Sequence, residues 1–252
     1  MQIDNVFSNV KGARMSPEKL STRKLLLIGC IGAVLSLAGD FFIGWQVYPD
    51  DQTYFAGMMM GGEADFPVLR MTGAVLGAIG IPLQFFGFAA LARLVADGNG
   101  DKAKKRGRTV SLGAWATAFF GGAVHVLCVA AMLLFRMECE EGFDPGKSCT
   151  ALGFIPELTL RFILIVLLPV SLVCMIPYIL GQIALFISVE KGETVLPRWA
   201  CLFNPLTAKL VLNVISAFLP NTGLCNALLM SNMGIGGLLT FAGVLLILDN
   251  DQ

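Results

Sequence analysis

Asp40 and His125 are the residues with the most chemistry to offer, and His125 is the single histidine of the chain. Each sits inside a long apolar run, where an ionisable side chain is costly and tends to mark a functional site or a buried pair. A carboxylate beside an imidazole is an acid/base arrangement, in which the imidazole moves a proton and the carboxylate orients it. Arg70, Arg161 and Asn232 are the groups suited to holding a polar or anionic headgroup, and Glu157 and Gln84 complete the candidate ligand-binding set. No nucleophile motif accompanies them. No CxxC spacing or Cys/His cluster suggests a metal, and no cofactor can be named.

The elements that must position these groups follow from composition. Hydrophobic residues make up 56% of the 252 and charged residues only 14%, with a mean hydropathy of +0.73. Soluble domains carry nearer a quarter charged residues. Long apolar runs between short polar loops predict an all-α, polytopic membrane bundle. Six spans are expected, at Lys24 to Tyr48, Arg70 to Ala96, Thr109 to Phe135, Leu158 to Ser188, Cys201 to Leu219 and Ala227 to Leu248. Residues 1–23 then form an N-terminal segment, 24–248 one transmembrane domain and 249–252 a short tail. Pro169 and Pro177 predict a tilt or kink in the fourth span. Asn204-Pro205 starts or kinks the fifth, which also carries Lys209 and Asn213. The first span reads as retained rather than cleaved, because Asp40 stands where a small-residue cleavage site would be.

Charge gives the orientation. The N-terminal tail, the loop between spans two and three, Arg93, Lys191, Arg198 and Lys209 place 14 of the 18 basic residues on one side. The positive-inside rule makes that side, and both termini, cytoplasmic in a bacterial inner or plasma membrane. Lys209 is expected to snorkel to the same surface. The basic loop is short and serves topology, so nucleic acid is not a partner. Cys139 and Cys149 fall in one outer loop, where a disulfide is expected, with Cys225 as a competitor.

Depth then brings the two ionisable groups together. Asp40 lies 16 residues past Lys24 and His125 16 past Thr109, so both are roughly 24 Å from the inner surface. Gly32 and Ser36 precede Asp40 at spacings of four, as Thr117 and Gly121 precede His125. Such small-residue stripes allow close helix contact and turn both groups toward the bundle. With Arg70, Glu157, Arg161 and Asn232 nearby, a polar vestibule is expected in the outer half, floored by apolar packing. Plainer readings stand beside this one. Asp40 can be salt-bridged to Arg161 or Arg70, His125 can be a hydrogen-bonded interior residue, and Glu157–Arg161 can be a helix-end pair.

Gly39-Asp40, Arg70 opening a Gly-rich span with Pro82 at its centre, Gly121-Gly122-Ala123-Val124-His125 and Asn204-Pro205 resemble an uncharacterised bacterial family of six-span membrane proteins. The resemblance implies a fold and a membrane location, and no activity. The function expected is binding of a small, lipid-like apolar or amphipathic ligand in an outer-half pocket, without catalysis. A membrane partner or a second copy held through small-residue faces belongs to the same reading. The alternatives are an intramembrane lipid-modifying enzyme using His125 and Asp40, and a proton-coupled small-molecule transporter.

Overall fold

The computed structural model describes residues 21–47, 66–98, 100–143, 155–216 and 218–250. Seven helices and no strand occur among them: α1 Thr22–Gly44, α2 Phe66–Ala96, α3 Asp101–Glu140, α4 Glu157–Glu190, α5 Pro205–Ser216, α6 Gly223–Met230 and α7 Asn232–Asn250. Five of them, α1 to α4 and α7, are long and apolar enough to cross a membrane. They point to a multi-pass membrane protein. Exposed Leu, Ile, Val and Phe side chains over the outside of the bundle suit contact with lipid.

Small residues set the closest packing. The antiparallel α1 and α2 approach until a Cβ on Gly32 would stand 2.7 Å from Gln84 N, and one on Gly29 would stand 2.6 Å from Gly87 Cα. Only glycine permits that approach, the membrane counterpart of a filled core. α3 is 40 residues long, roughly 60 Å, so it outruns a ~30 Å hydrocarbon layer. Its first turns carry Lys102, Lys104, Lys105, Arg106 and Arg108, and its apolar part begins after them. One wider π-type turn, Thr117–Gly121, faces α2 beside Ile81 and Pro82. A second, Ile163–Leu167, lies near the start of α4.

Two apolar clusters divide the bundle by depth. The larger joins Leu26, Phe88, Leu91, Val110, Tyr178, Leu185 and Phe241, with Phe88 set edge-on to both Tyr178 and Phe241 at 5.7 and 4.9 Å. The smaller, toward the other end, joins Ile43, Ala74, Val129, Met132 and Phe135. The ends of the described chain meet beyond the larger cluster, where Arg23 pairs with Asp249 at 2.8 Å. Arg106 and Glu193 also pair.

One expectation is sharpened and another corrected. The crossing expected over Cys201 to Leu219 is interrupted at Asn204-Pro205, the place where the sequence puts a start or kink. It is a 3-10 turn at Arg198–Leu202, a break, and then α5, only 12 residues long. Pro205 brings no backbone N–H, and Asn204 fixes the break. Its Oδ1 accepts from Leu206 N at 2.9 Å, and its Nδ2 donates to the Gln182 carbonyl at 3.0 Å. The disulfide expected at Cys139 is not formed. Cys139 is a free thiol in the last turn of α3, packed against the smaller apolar cluster, while Cys149 lies outside the described residues.

Candidate functional site

Between the two apolar clusters lies a cavity of ≈ 270 Å³ to which every helix contributes. Ser36 and Asp40 come from α1, Ile81 and Gln84 from α2, and Thr117, Gly121, Val124, His125 and Cys128 from α3. Cys174, Met175 and Tyr178 come from α4, Lys209 from α5, Met230 from α6, and Asn232 and Met233 from α7. The wall is mostly apolar, with a few polar groups gathered on it, the usual make-up of a small-molecule site.

His125 is held from both sides. Its Nε2 lies 3.1 Å from the Gly73 carbonyl, and its Nδ1 lies 3.5 Å from Asp40 Oδ1. The side chains are 8% and 17% exposed, so water screens the contact little. Gly77 makes room for the ring, because a Cβ there would overlap it. A carbonyl oxygen only accepts, so Nε2 must carry a hydrogen and donate. Nδ1 then faces a carboxylate oxygen. That meeting is favourable only with one proton between them, on either the imidazole or the carboxyl. The pair is therefore net neutral in both arrangements, and it stores one proton at the cavity wall. At 3.5 Å the two atoms stand at the outer limit of hydrogen-bond distance.

The rest of the wall is tied down. Gln84 Nε2 donates to Ser36 Oγ at 2.8 Å, and Ser36 Oγ donates to the Ala33 carbonyl at 3.1 Å. Thr117 Oγ1 donates to Gly113 O at 2.9 Å, Asn232 Nδ2 to Leu229 O at 2.7 Å, and Cys174 Sγ contacts Ala116 O at 3.7 Å. Lys209 differs. Its side chain is exposed, and among the described residues it has no hydrogen-bond or ion-pair partner.

Of the residues expected from sequence, Asp40, His125, Gln84 and Asn232 line this one space. Three others do not. Arg70 is 2% exposed and donates to Gln46 Oε1 at 2.6 Å, beyond the smaller cluster. Glu157 and Arg161 pair with each other on the exposed first turns of α4. The expected polar vestibule is instead a cavity with apolar packing on both sides along the bundle, open where the exposed Lys209 joins its wall. Lys209 also needs correction. It lines the cavity level with Asn232 and Met233, instead of reaching the surface that gathers the other basic residues. The reason is that α5 starts at mid-depth, with Pro205 against Gly236. Cys128 and Cys174 also reach the wall. Cys128 lies three residues past His125, the helical spacing that would have found it. Glu138 has a structural task away from the cavity. It accepts from Thr159 N at 2.9 Å, Thr159 Oγ1 at 2.6 Å and Leu158 N at 3.2 Å, and so caps α4 from α3.

Among the described residues no three His, Cys, Asp or Glu side chains stand together as metal ligands would. Neither a curated protein nor a solved structure matches the chain. A family model does match, over residues 12–251, nearly the whole length and all the helices that build the cavity. The chain belongs to that family, DUF6796, a family of unknown function.

Proposed function

We propose that the protein binds a small apolar or amphipathic molecule within the membrane, in the cavity walled by Asp40 and His125, without catalysing a reaction. One observation carries this reading. Seven helices leave ≈ 270 Å³ between two filled apolar clusters, and polar groups converge on it. A bundle that served only as a docking partner would close that space. Pockets for small molecules start at about 300 Å³, so the volume suits a compact ligand or the polar end of a longer one. The site assignment covers Asp40, His125, Gln84 and Asn232, and adds Lys209.

Six crossings with both ends in the cytoplasm accompany this reading. The Arg23–Asp249 contact supports an even number, since two ends that meet on one face require it. The 3-10 turn and α5 together rise about 28 Å, enough for one broken crossing. The basic residues gathered at that end support a cytoplasmic assignment.

The test is purification in native lipid nanodiscs followed by mass spectrometry of extracted small molecules. A stoichiometric compound is expected in the parent protein. It should be depleted in Cys128→Phe, which fills the cavity, and in His125→Ala. A compound retained equally by folded variants rules the site out. One feature favours an enzyme as the second reading: the pair presents a transferable proton to the cavity. Conversion of the identified compound on prolonged incubation, lost in Asp40→Asn, would establish it.

A further inference from the structure

We infer that the cavity selects amphiphiles with an anionic headgroup, and that Lys209 is the residue that reads the charge. The inference rests on the ligand-binding reading above and names the class of ligand. Charge balance gives the first step. Asp40 and His125 share one proton and contribute no net charge. Gln84, Thr117, Asn232 and Ser36 are neutral. The remaining charged group on the wall is Lys209, so the cavity carries one positive charge.

Position gives the second step. Lys209 is seven residues before the end of α5 at Ser216, about 10 Å along the helix. Around it Leu210, Val211, Val214 and Ile215 are exposed at 42% or more, a lipid-facing surface. An ammonium on such a helix is costly unless an anion or water answers it, and no described residue does. The side chain is both exposed and part of the cavity wall, so it stands at the mouth, where the cavity meets lipid beside α5. A carboxylate or phosphate at Lys209 would leave an attached chain to lie against Met175, Met230 and Met233. Their flexible thioether side chains adapt to irregular apolar shapes.

The experiment uses the full chain in maltoside detergent and native mass spectrometry with four dodecyl probes. These are dodecyl phosphate, dodecanoate, dodecanol and dodecyltrimethylammonium. Dodecyl phosphate and dodecanoate are expected to bind one per protein, and the cationic probe least. Lys209→Met should weaken the two anions roughly tenfold, the size of one charge-assisted contact, and leave dodecanol unchanged. Lys209→Arg should restore the anions. Inorganic phosphate should not compete at equal concentration; full displacement by it would overturn the amphiphile assignment in favour of a free-anion site. Equal binding of all headgroups, unaffected by Lys209→Met but lost in Cys128→Phe, would overturn the charge reading and leave the cavity reading standing. Failure of every probe to bind, or binding insensitive to Cys128→Phe, would overturn both.

Discussion

His125 has an acceptor on one side and a carboxylate on the other, and the coupling between the two residues is therefore strong. Replacing His125 by Ala leaves the Asp40 carboxyl without its partner, and an unsatisfied buried polar group costs about 1–3 kcal/mol. In Asp40→Asn/His125→Ala the unpartnered carboxyl is gone. The double variant should therefore melt higher than His125→Ala alone, and a thermal unfolding series of the four proteins reads the cycle. Simple additivity would mean that the 3.5 Å contact does not couple the residues. Gly77 is the second point. A Cβ there overlaps the imidazole, so Gly77→Ala must push the ring off Gly73 O or spread α2 from α3. Overpacking of this kind costs about 1–3 kcal/mol. The loss should appear as a lower melting temperature, and it should shrink when His125 is also replaced by Ala. The convergence of this pair was legible because equal depth and small-residue stripes are properties of sequence spacing. The shared proton was not, since it depends on Gly73 O reaching Nε2 across 52 positions of chain.

At the scale of elements, helices governed by continuous apolar runs follow from sequence, whereas the interrupted one is legible only as a start or kink at Asn204-Pro205. α1 begins at its Ser21 cap, whose side chain accepts from Lys24 N at 3.3 Å, and runs through 23 residues as hydropathy requires. Over Cys201 to Leu219 the average hydropathy hides a local event. Asn204 uses both ends of its amide to start α5 at mid-depth and to tie it to α4. That single start point carries Lys209 from an expected surface position to the cavity. Asn204→Asp keeps the oxygen that accepts from Leu206 and loses the donor to Gln182 O, whereas Asn204→Ala loses both. Loss of such a cap costs about 0.5–2 kcal/mol. Asn204→Ala should therefore fall further in melting temperature than Asn204→Asp, and faster hydrogen exchange at Leu206 should report the loosened start of α5. Equal stability of Asn204→Ala and the parent would show that Pro205 alone sets the break. α4 differs in another way: only 11% of its most apolar stretch is buried, against 39–44% for the other long helices. Its inner half is held to α3, with Gly113 against Pro177 and Gly181 against Val110, and its outer start hangs on Glu138. Glu138→Gln keeps an acceptor but loses the charge that favours a helix N-terminus, worth about 0.3–1 kcal/mol. Hydrogen exchange should accelerate over Leu158–Phe162 in that variant and stay unchanged in α1. Uniform acceleration along the chain would mean that Glu138 supports the whole bundle.

For the whole molecule, one ion pair constrains the topology more than any single span. Arg23 and Asp249 touch, and α7 runs antiparallel to α1 beside it, with Gly234 against Leu37 and Phe241 against Gly29. Two ends on one face cannot arise from five crossings. On the six-crossing proposal the broken segment from Arg198 to Ser216 supplies the sixth, with a helix too short to be recognised by length. Fluorescent-protein reporters that mature only in the cytoplasm test this directly. Fusions after Gln252 and before Met1 should both fluoresce, and a reporter inserted after Phe143, at the opposite end of α3, should stay dark. Bright fusions at one terminus and a dark reporter at the other would leave five crossings and make α5 a half-span that returns to its own side. The outcome also bears on the cavity. With six crossings α5 continues to the far surface and Lys209 faces lipid on a spanning segment, where an anion must answer it. With five, the same lysine would sit on a re-entrant helix facing protein and water, and removing its charge by Lys209→Met would leave dodecyl phosphate affinity unchanged. Reporter brightness and headgroup selectivity should therefore agree, because both depend on the path the chain takes after Asn204.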